Sequence, residues 1–374
     1  MVIPLTPLVD RVPRYVTVFI NWACNLTCRE CWMYGDSAAE STWLPEVKRD
    51  QMSVEMWTAL VDELATNERM TYLTIMGGEP LMHDNAVQLM RIAKERLPNS
   101  NLDMSTNGTL LSRFADQIVT TGIDDIYLSI DGPTAEINDS IRGRNAYRRA
   151  LQGLEALQQA AAREGRGPKV ALNFVITGMN YTYLPDMVRL TESLGLNEIT
   201  VGLSSFFTRD EGAASRPAFE SVTGRPFLSW AGYCNEHQHA DIDPVRLREL
   251  LDEAEHLSPN VEVLVPPTRY SNEDKSQFFG PNWSKLVREP TCVKLWAQTT
   301  VLPNGQVISC TTFADTVMGS LADGSLEQVF HGDTYTRMRE TIRAGLQPIC
   351  YRCCELNMDI DVDPQLYDSV TAKG

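Results

Sequence analysis

The stretch YVTVFINWACNLTCREC, residues 15–31, joins an unbroken apolar run to a polar loop that carries three cysteines. Residues 15–20 are β-branched and aromatic without alternation, the pattern of a strand covered on both faces. The loop behind it places Cys24, Cys28 and Cys31 within eight residues. Strands covered on both faces belong to parallel sheets, and such sheets gather ligands at the C-terminal ends of their strands, where this loop begins.

Working outward, strand-like and helix-like segments alternate. Helical spacing of apolar residues covers 53–65, with Ser53 placed to cap it. A strand at 72–76 ends in Gly77-Gly78, and a helix over 84–97 stops at Pro98. A strand at 101–105 runs into Asn107-Gly108, and a short helix at 112–121 leads to a strand at 125–130 closed by Asp131-Gly132-Pro133. A long helix at 145–164, a strand at 169–176, a helix at 181–194 and a strand at 198–203 complete the series. Strands separated by helices indicate βα units and a parallel sheet. Six such strands are too few for a full eight-stranded barrel and fit an α/β fold over residues 1–205, either a partial (β/α)6 TIM-like barrel or an open sheet. Residues 206–290 read as a polar, irregular connecting region that covers the substrate, with one helix near 244–257 and a strand candidate at 261–266. Residues 291–374 read as a small α+β domain, whose VLPNGQVISC segment turns a hairpin at Asn304-Gly305.

Composition narrows the function. The chain of 374 residues has a formal net charge of −16 and no Lys/Arg block, a balance that repels a phosphate backbone and argues against nucleic acid as partner. No run of eighteen apolar residues predicts a membrane span. The opening MVIPLTPLVDRVPRY has neither the basic patch nor the apolar core of a signal peptide, which predicts a soluble cytoplasmic protein. Nine cysteines, an odd number clustered near both ends, predict metal ligands rather than a disulfide framework.

Three thiolates are short by one of the four that a [4Fe–4S] cluster takes, leaving one iron open to an amino-acid chelate. A zinc site would want a histidine nearby, and the closest is His83. With this Cys-x3-Cys-x2-Cys loop the sequence resembles the radical S-adenosylmethionine superfamily. Gly77, Gly78, Glu79 and Pro80 match that family's GGEP motif, whose backbone carbonyls meet the methionine amino group; Glu79 is expected to brace the turn. The resemblance further implies cofactor contacts from Ser105 and Asn107 after the third strand, and from Ser129 in the SIDG segment. It implies a carboxylate contact from Arg142 and a ribose or carboxylate contact from Asn173. One departure is Glu30, which stands before the third cysteine where the family often has an aromatic residue, with Trp32 just after as a candidate adenine neighbour.

Cys292, Cys310, Cys350 and Cys353 supply a full ligand set for a second [4Fe–4S] cluster, with Cys354 as an alternative to Cys353 and a zinc ribbon as the competing reading. Their surroundings resemble the twitch or SPASM extensions of radical enzymes, nearer to the one-cluster twitch form because the full pattern has seven cysteines. The resemblance implies a 5′-deoxyadenosyl radical that abstracts hydrogen, fed by a flavodoxin- or ferredoxin-type donor. Three outcomes stand open. In the favoured one, a sugar or aminocyclitol hydroxyl becomes a ketone, as in antibiotic biosynthesis, and the auxiliary cluster accepts an electron. The chain's first strand begins near residue 15, which leaves no room for a leading peptide-binding domain and favours a small-molecule substrate. The alternatives are an epimerase with Cys234 as hydrogen donor, and a peptide crosslinking enzyme or maturase. Among His237, His239, Glu211, Asp210 and Arg209, none is singled out as a base.

Overall fold

In the computed structural model, residues 9–36, 38, 50–235, 238–288, 291–353, 356 and 364–371 are described. Six parallel strands follow one another across the sheet: β1 (Tyr15–Phe19), β2 (Tyr72–Met76), β3 (Asn101–Thr106), β4 (Asp125–Ser129), β5 (Lys169–Ile176) and β6 (Glu198–Leu203). Helices α1 (Val54–Leu64), α2 (Ala86–Arg96), α3 (Leu111–Ile118), α4 (Ala135–Arg142), α5 (Ala146–Glu164) and α6 (Leu184–Ser193) connect them. This is the partial α/β barrel.

Local sequence explains these elements. Ser53 caps α1 by accepting from the Met56 amide at 3.1 Å, and Trp57, Leu60, Val61 and Leu64 form its buried stripe at helical spacing. The Trp57 indole, wholly buried, donates to the Leu89 carbonyl at 2.9 Å and so fixes α1 against α2. Inward-facing residues of β3 alternate with apolar outward ones, and Asp103 and Ser105 share the inner face.

Two regions extend this frame. Residues 206–290 hold α7 (Arg209–Thr223) and α8 (Pro244–Leu257), then β7 (Glu262–Leu264), which pairs parallel to β6 as a seventh strand. After α9 (Asn272–Ser276) and α10 (Trp283–Leu286), β8 (Gln298–Val301) pairs parallel to β1 on its other side. β9 (Gln306–Ile308) and β10 (Val317–Ser320) continue the sheet antiparallel, so the ten strands run β10-β9-β8-β1-β2-β3-β4-β5-β6-β7. The β8–β9 turn has Gly305 at φ 82°, a conformation that suits glycine. Helices α11 (Leu326–Phe330), α12 (Asp333–Ala344) and α13 (Pro364–Thr371) complete the described chain. Among the described residues, no helix is long and apolar enough to cross a membrane.

Candidate active site: a three-cysteine loop over the barrel mouth

The loop after β1 lies directly on the end of β2. The amide of Gly78 donates to the Asn21 carbonyl at 3.1 Å, and that of Glu79 to the Ala23 carbonyl at 2.8 Å. A Cβ at Gly77 would stand 2.2 Å from Asn21 Oδ1, and one at Gly78 2.2 Å from the Trp22 carbonyl. The glycine pair is therefore required first for the approach of the cysteine loop itself.

Glu79 sits beneath this junction, wholly buried. Its carboxylate accepts from the Thr106 hydroxyl at 2.7 Å and from the amides of Asn107 and Leu81 at 2.8 and 3.1 Å. Burial raises its pKa, against those three donors. Asn107, so anchored, donates to Asn25 Oδ1 at 3.0 Å and approaches Cys24 Sγ at 3.9 Å.

A cavity of about 250 Å³ opens between this loop and the strand ends. Cys24, Cys28 and Cys31 line it together with Gly77, Gly78, Ser105, Asn107, Ser129 and Arg142, residues from five different segments of sequence. Pro80, Trp32 and Asn173 are not on its wall. Pro80 opens the 3-10 turn after Glu79, and Trp32 packs its ring against Trp22 and Tyr233. Asn173 pairs with Ser129 and shares a strand face with Val175, which does reach the wall.

Two further wall residues make contacts that sequence reasoning did not assign. Asp131 forms an ion pair with Arg142 at 2.7 Å and accepts from the Val175 amide at 3.0 Å, tying β4 to β5 and α4. Burial would weaken the Arg142 charge, but Asp131 and the nearby thiols more than offset it and hold its pKa above the usual arginine range. Asp131 was visible as the acid of SIDG, but its pairing with Arg142 needs the helix α4, for which no apolar stripe spoke. Glu30 also lines the cavity, accepting from Asn235 Nδ2 at 3.2 Å and, with the amide nitrogen of Gln238 turned toward it, from that residue at 2.8 Å. Burial, and beyond it Asp131, push Glu30 up to about 7 against the Asn235 hydrogen bond.

The chemistry of the donor set fits an iron–sulfur cluster. The three thiols share one cavity and are free of disulfides, and burial pushes Cys24 up to about 12 and Cys31 up to about 11. Such thiols stay protonated until a metal takes the proton's place. In the second set, burial raises Cys350, with Cys353 and Cys292 adding, and the buried Tyr335 hydroxyl senses both Cys310 and Cys292. All four are free of disulfides. Among the described residues no three thiol, imidazole or carboxylate groups converge on a single metal ion. Cys354 and His237 lie outside the described residues. Cys234 is buried in a turn with Sγ 4.0 Å from the Trp230 carbonyl, His239 packs between Phe206 and Phe279, and Glu211 caps α7; none is on the cavity wall.

Residues 20–191 match the model of the Radical SAM superfamily, and residues 292–354 that of the iron–sulfur cluster-binding SPASM domain. Residues 20–191 thus carry a radical SAM domain, and residues 292–354 a SPASM domain behind the partial barrel. These domains imply S-adenosylmethionine and a [4Fe–4S] cluster, with auxiliary iron–sulfur ligation in the SPASM domain.

Its relatives are diverse. A pre-heme d1 synthase of Dinoroseobacter shibae is 26% identical over 294 residues, 75% of this chain and 61% of that protein. An AdoMet-dependent heme synthase of Oleidesulfovibrio alaskensis is 30% identical over 49% of this chain and 43% of its own. A mycofactocin maturase of Mycobacterium tuberculosis is 31% identical over the same shares. The chain thus spans between 43% and 61% of the length of these curated relatives. Among solved structures, S-adenosylmethionine-bound SuiB of Streptococcus suis superposes with a TM-score of 0.64 at 15% identity, over 95% of this chain and 78% of that one. AdoMet-bound anSMEcpe gives 0.58 at 16%, over 96% and 92%. At these identities the likeness concerns the fold.

Proposed function

We propose that the chain oxidises a small polar molecule, turning a sugar or aminocyclitol hydroxyl into a ketone, by S-adenosylmethionine-initiated radical chemistry at the barrel mouth. When bound, the cofactor and its cluster supply a carbon radical that takes hydrogen from an unactivated C–H bond. Cys24, Cys28 and Cys31 hold the cluster. Gly77 and Gly78 present carbonyls to the amino group of the cofactor, and Arg142, oriented by Asp131, takes its carboxylate. Ser105, Asn107 and Ser129 offer hydrogen bonds along the wall, with Asn173 one strand position deeper. Pro80 shapes the turn over Glu79, and Trp32 stacks on Tyr233 beside the third cysteine.

The observation that carries this reading is the second thiol set. Cys292, Cys310, Cys350 and Cys353 flank or follow strands that continue the barrel's own sheet through β8 and β1. An oxidation needs an electron acceptor near the site, whereas a redox-neutral rearrangement does not. The names of the heme-forming relatives and of a GTP 3′,8-cyclase support a small-molecule substrate. A flavodoxin or ferredoxin would deliver the priming electron. Cys234, its thiol turned to the Trp230 carbonyl, is poorly placed to return hydrogen, which weighs against epimerisation.

The test is anaerobic incubation of reconstituted protein with S-adenosylmethionine, dithionite and deuterated polyols and aminocyclitols. The expected result is 5′-deoxyadenosine carrying deuterium and a product lighter by one deuterium from carbon and one proton from the hydroxyl. A product of unchanged mass, or deuterium transfer from peptides alone, would sink the oxidation of a small molecule.

A further inference from the structure

Trp32 follows Cys31 directly in the chain. Its ring stacks on Tyr233 with centroids 5.9 Å apart and planes 12° from parallel. Tyr233 Oη donates to the Thr312 carbonyl at 2.8 Å, and the Thr312 hydroxyl lies 3.2 Å from Cys353 Sγ. One ring stack, two hydrogen-bond contacts and covalent links thus join a cysteine of the first set to a cysteine of the second. Thr312, Phe313 and Cys353 are buried, and the Phe313 ring meets Tyr233 edge-on at 5.9 Å, so the far half of this run is dry.

A Cβ at Gly232 would stand 2.6 Å from the Trp32 carbonyl, a backbone atom that cannot swing aside. Glycine there lets the turn bearing Tyr233 press against the cysteine loop. Electrons tunnel far better through bonds and contacts than across gaps, and flat rings in stacked contact span distance with few steps.

The geometry points to Trp32 and Tyr233 as an electron bridge between the thiolates of Cys31 and Cys353. The bridge carries one electron at a time: the auxiliary cluster is oxidised by one electron and the first cluster is reduced by one. No covalent bond forms or breaks, and Tyr233 Oη keeps its proton, donated in a hydrogen bond to the Thr312 carbonyl. An electron released at product formation thereby returns to the first cluster, and the external donor is needed only to prime the enzyme. This inference rests on the two-cluster reading above, with Cys353 as an auxiliary ligand.

The experiment uses anaerobically reconstituted full-length protein without S-adenosylmethionine, photoreduced by less than one electron per chain and frozen at intervals. Electron paramagnetic resonance follows how the reduced signal redistributes between the two clusters, beside iron content and midpoint potentials. In Tyr233→Leu the redistribution is expected to slow by an order of magnitude with iron and potentials unchanged. Tyr233→Phe keeps the stack, loses the hydrogen bond and should fall between. A wild-type rate in Tyr233→Leu at full iron content overturns the bridge; should that variant lose iron, a wild-type rate in Tyr233→Phe does so. About four irons per wild-type chain instead of about eight would overturn the two-cluster reading itself, a separate failure.

Discussion

Glu79 shows how one buried carboxylate organises a site without facing it. Its three hydrogen bonds hold the Thr106 and Asn107 segment at the end of β3, and Asn107 in turn reaches Asn25 and Cys24. Removing a buried acceptor leaves its donors unsatisfied at about 1–3 kcal/mol. Glu79→Ala is therefore expected to lose about 2 kcal/mol of stability and to weaken S-adenosylmethionine binding, because Asn107 is no longer fixed. Glu79→Gln, which keeps one acceptor oxygen, should lose less. Thermal unfolding and equilibrium binding of the cofactor check both, and an alanine variant with wild-type affinity would remove the positioning role. Much of this site was legible. The cysteine spacing, the two glycines and the residues Ser105, Asn107, Ser129 and Arg142 all come to one cavity wall. What was not legible are contacts made across elements, such as Asp131 on Arg142 or Trp32 on Tyr233, because local pattern carries no record of a partner far along the chain.

Elements were readable where their buried faces are large and apolar. The strands β1 to β6 and the helices α1, α2, α5 and α8 follow the periodicity of the sequence closely. Helix α7 did not announce itself, since its buried face begins with Gly212 and Ser215 and its interior contains Pro217. The reason for that face is packing: a Cβ at Gly212 would stand 2.0 Å from the Trp230 ring. The Thr208–Glu211 capping box starts the helix, and Thr208→Ala should cost about 1 kcal/mol in thermal unfolding. The inner face of β3 makes a prediction of another kind. Burial lifts Asp103 to about 7 from 3.8, opposed by the Thr74 hydroxyl and helped by Asp125 and Asp124. The folded state then holds a proton that the unfolded chain releases. Stability from this group is full below about pH 4 and falls by up to about 1.4 kcal/mol per pH unit until about pH 7. Asp103→Asn should raise the melting temperature at pH 8 and leave it unchanged near pH 4; equal melting temperatures at pH 8 would contradict the assignment.

On the scale of the whole molecule, the cluster-bearing C-terminal segment is knitted into the barrel and cannot be treated as an appendage. β8 satisfies the backbone of β1 opposite β2, with Tyr15, Val16, Thr17 and Val18 paired to Gln298, Thr299, Thr300 and Val301. The amides of Leu326 and Glu327 at the start of α11 donate to the Glu63 carboxylate of α1 at 2.9 and 2.8 Å. His331 meets the Asp10 carbonyl at 2.9 Å, so the segment before β1 is held from the same side. The Asn304-Gly305 turn signal predicted the β8–β9 hairpin and could not say that its first strand would lie beside β1. Without residues 291–374, β1 would expose a row of unpaired amides and carbonyls, and the buried Val16 and Val18 would lose part of their cover. A chain ending at residue 290 is therefore expected to aggregate or to lack a cooperative unfolding transition, even with Cys24, Cys28 and Cys31 intact. Replacing only Cys292, Cys310, Cys350 and Cys353 by alanine is a different perturbation, since it removes ligands and leaves the strand pairing. That variant should stay folded and retain about four irons per chain. Size-exclusion chromatography, melting and iron content distinguish the two; a soluble, cooperatively folding 1–290 chain would show that the sheet does not depend on its C-terminal strands.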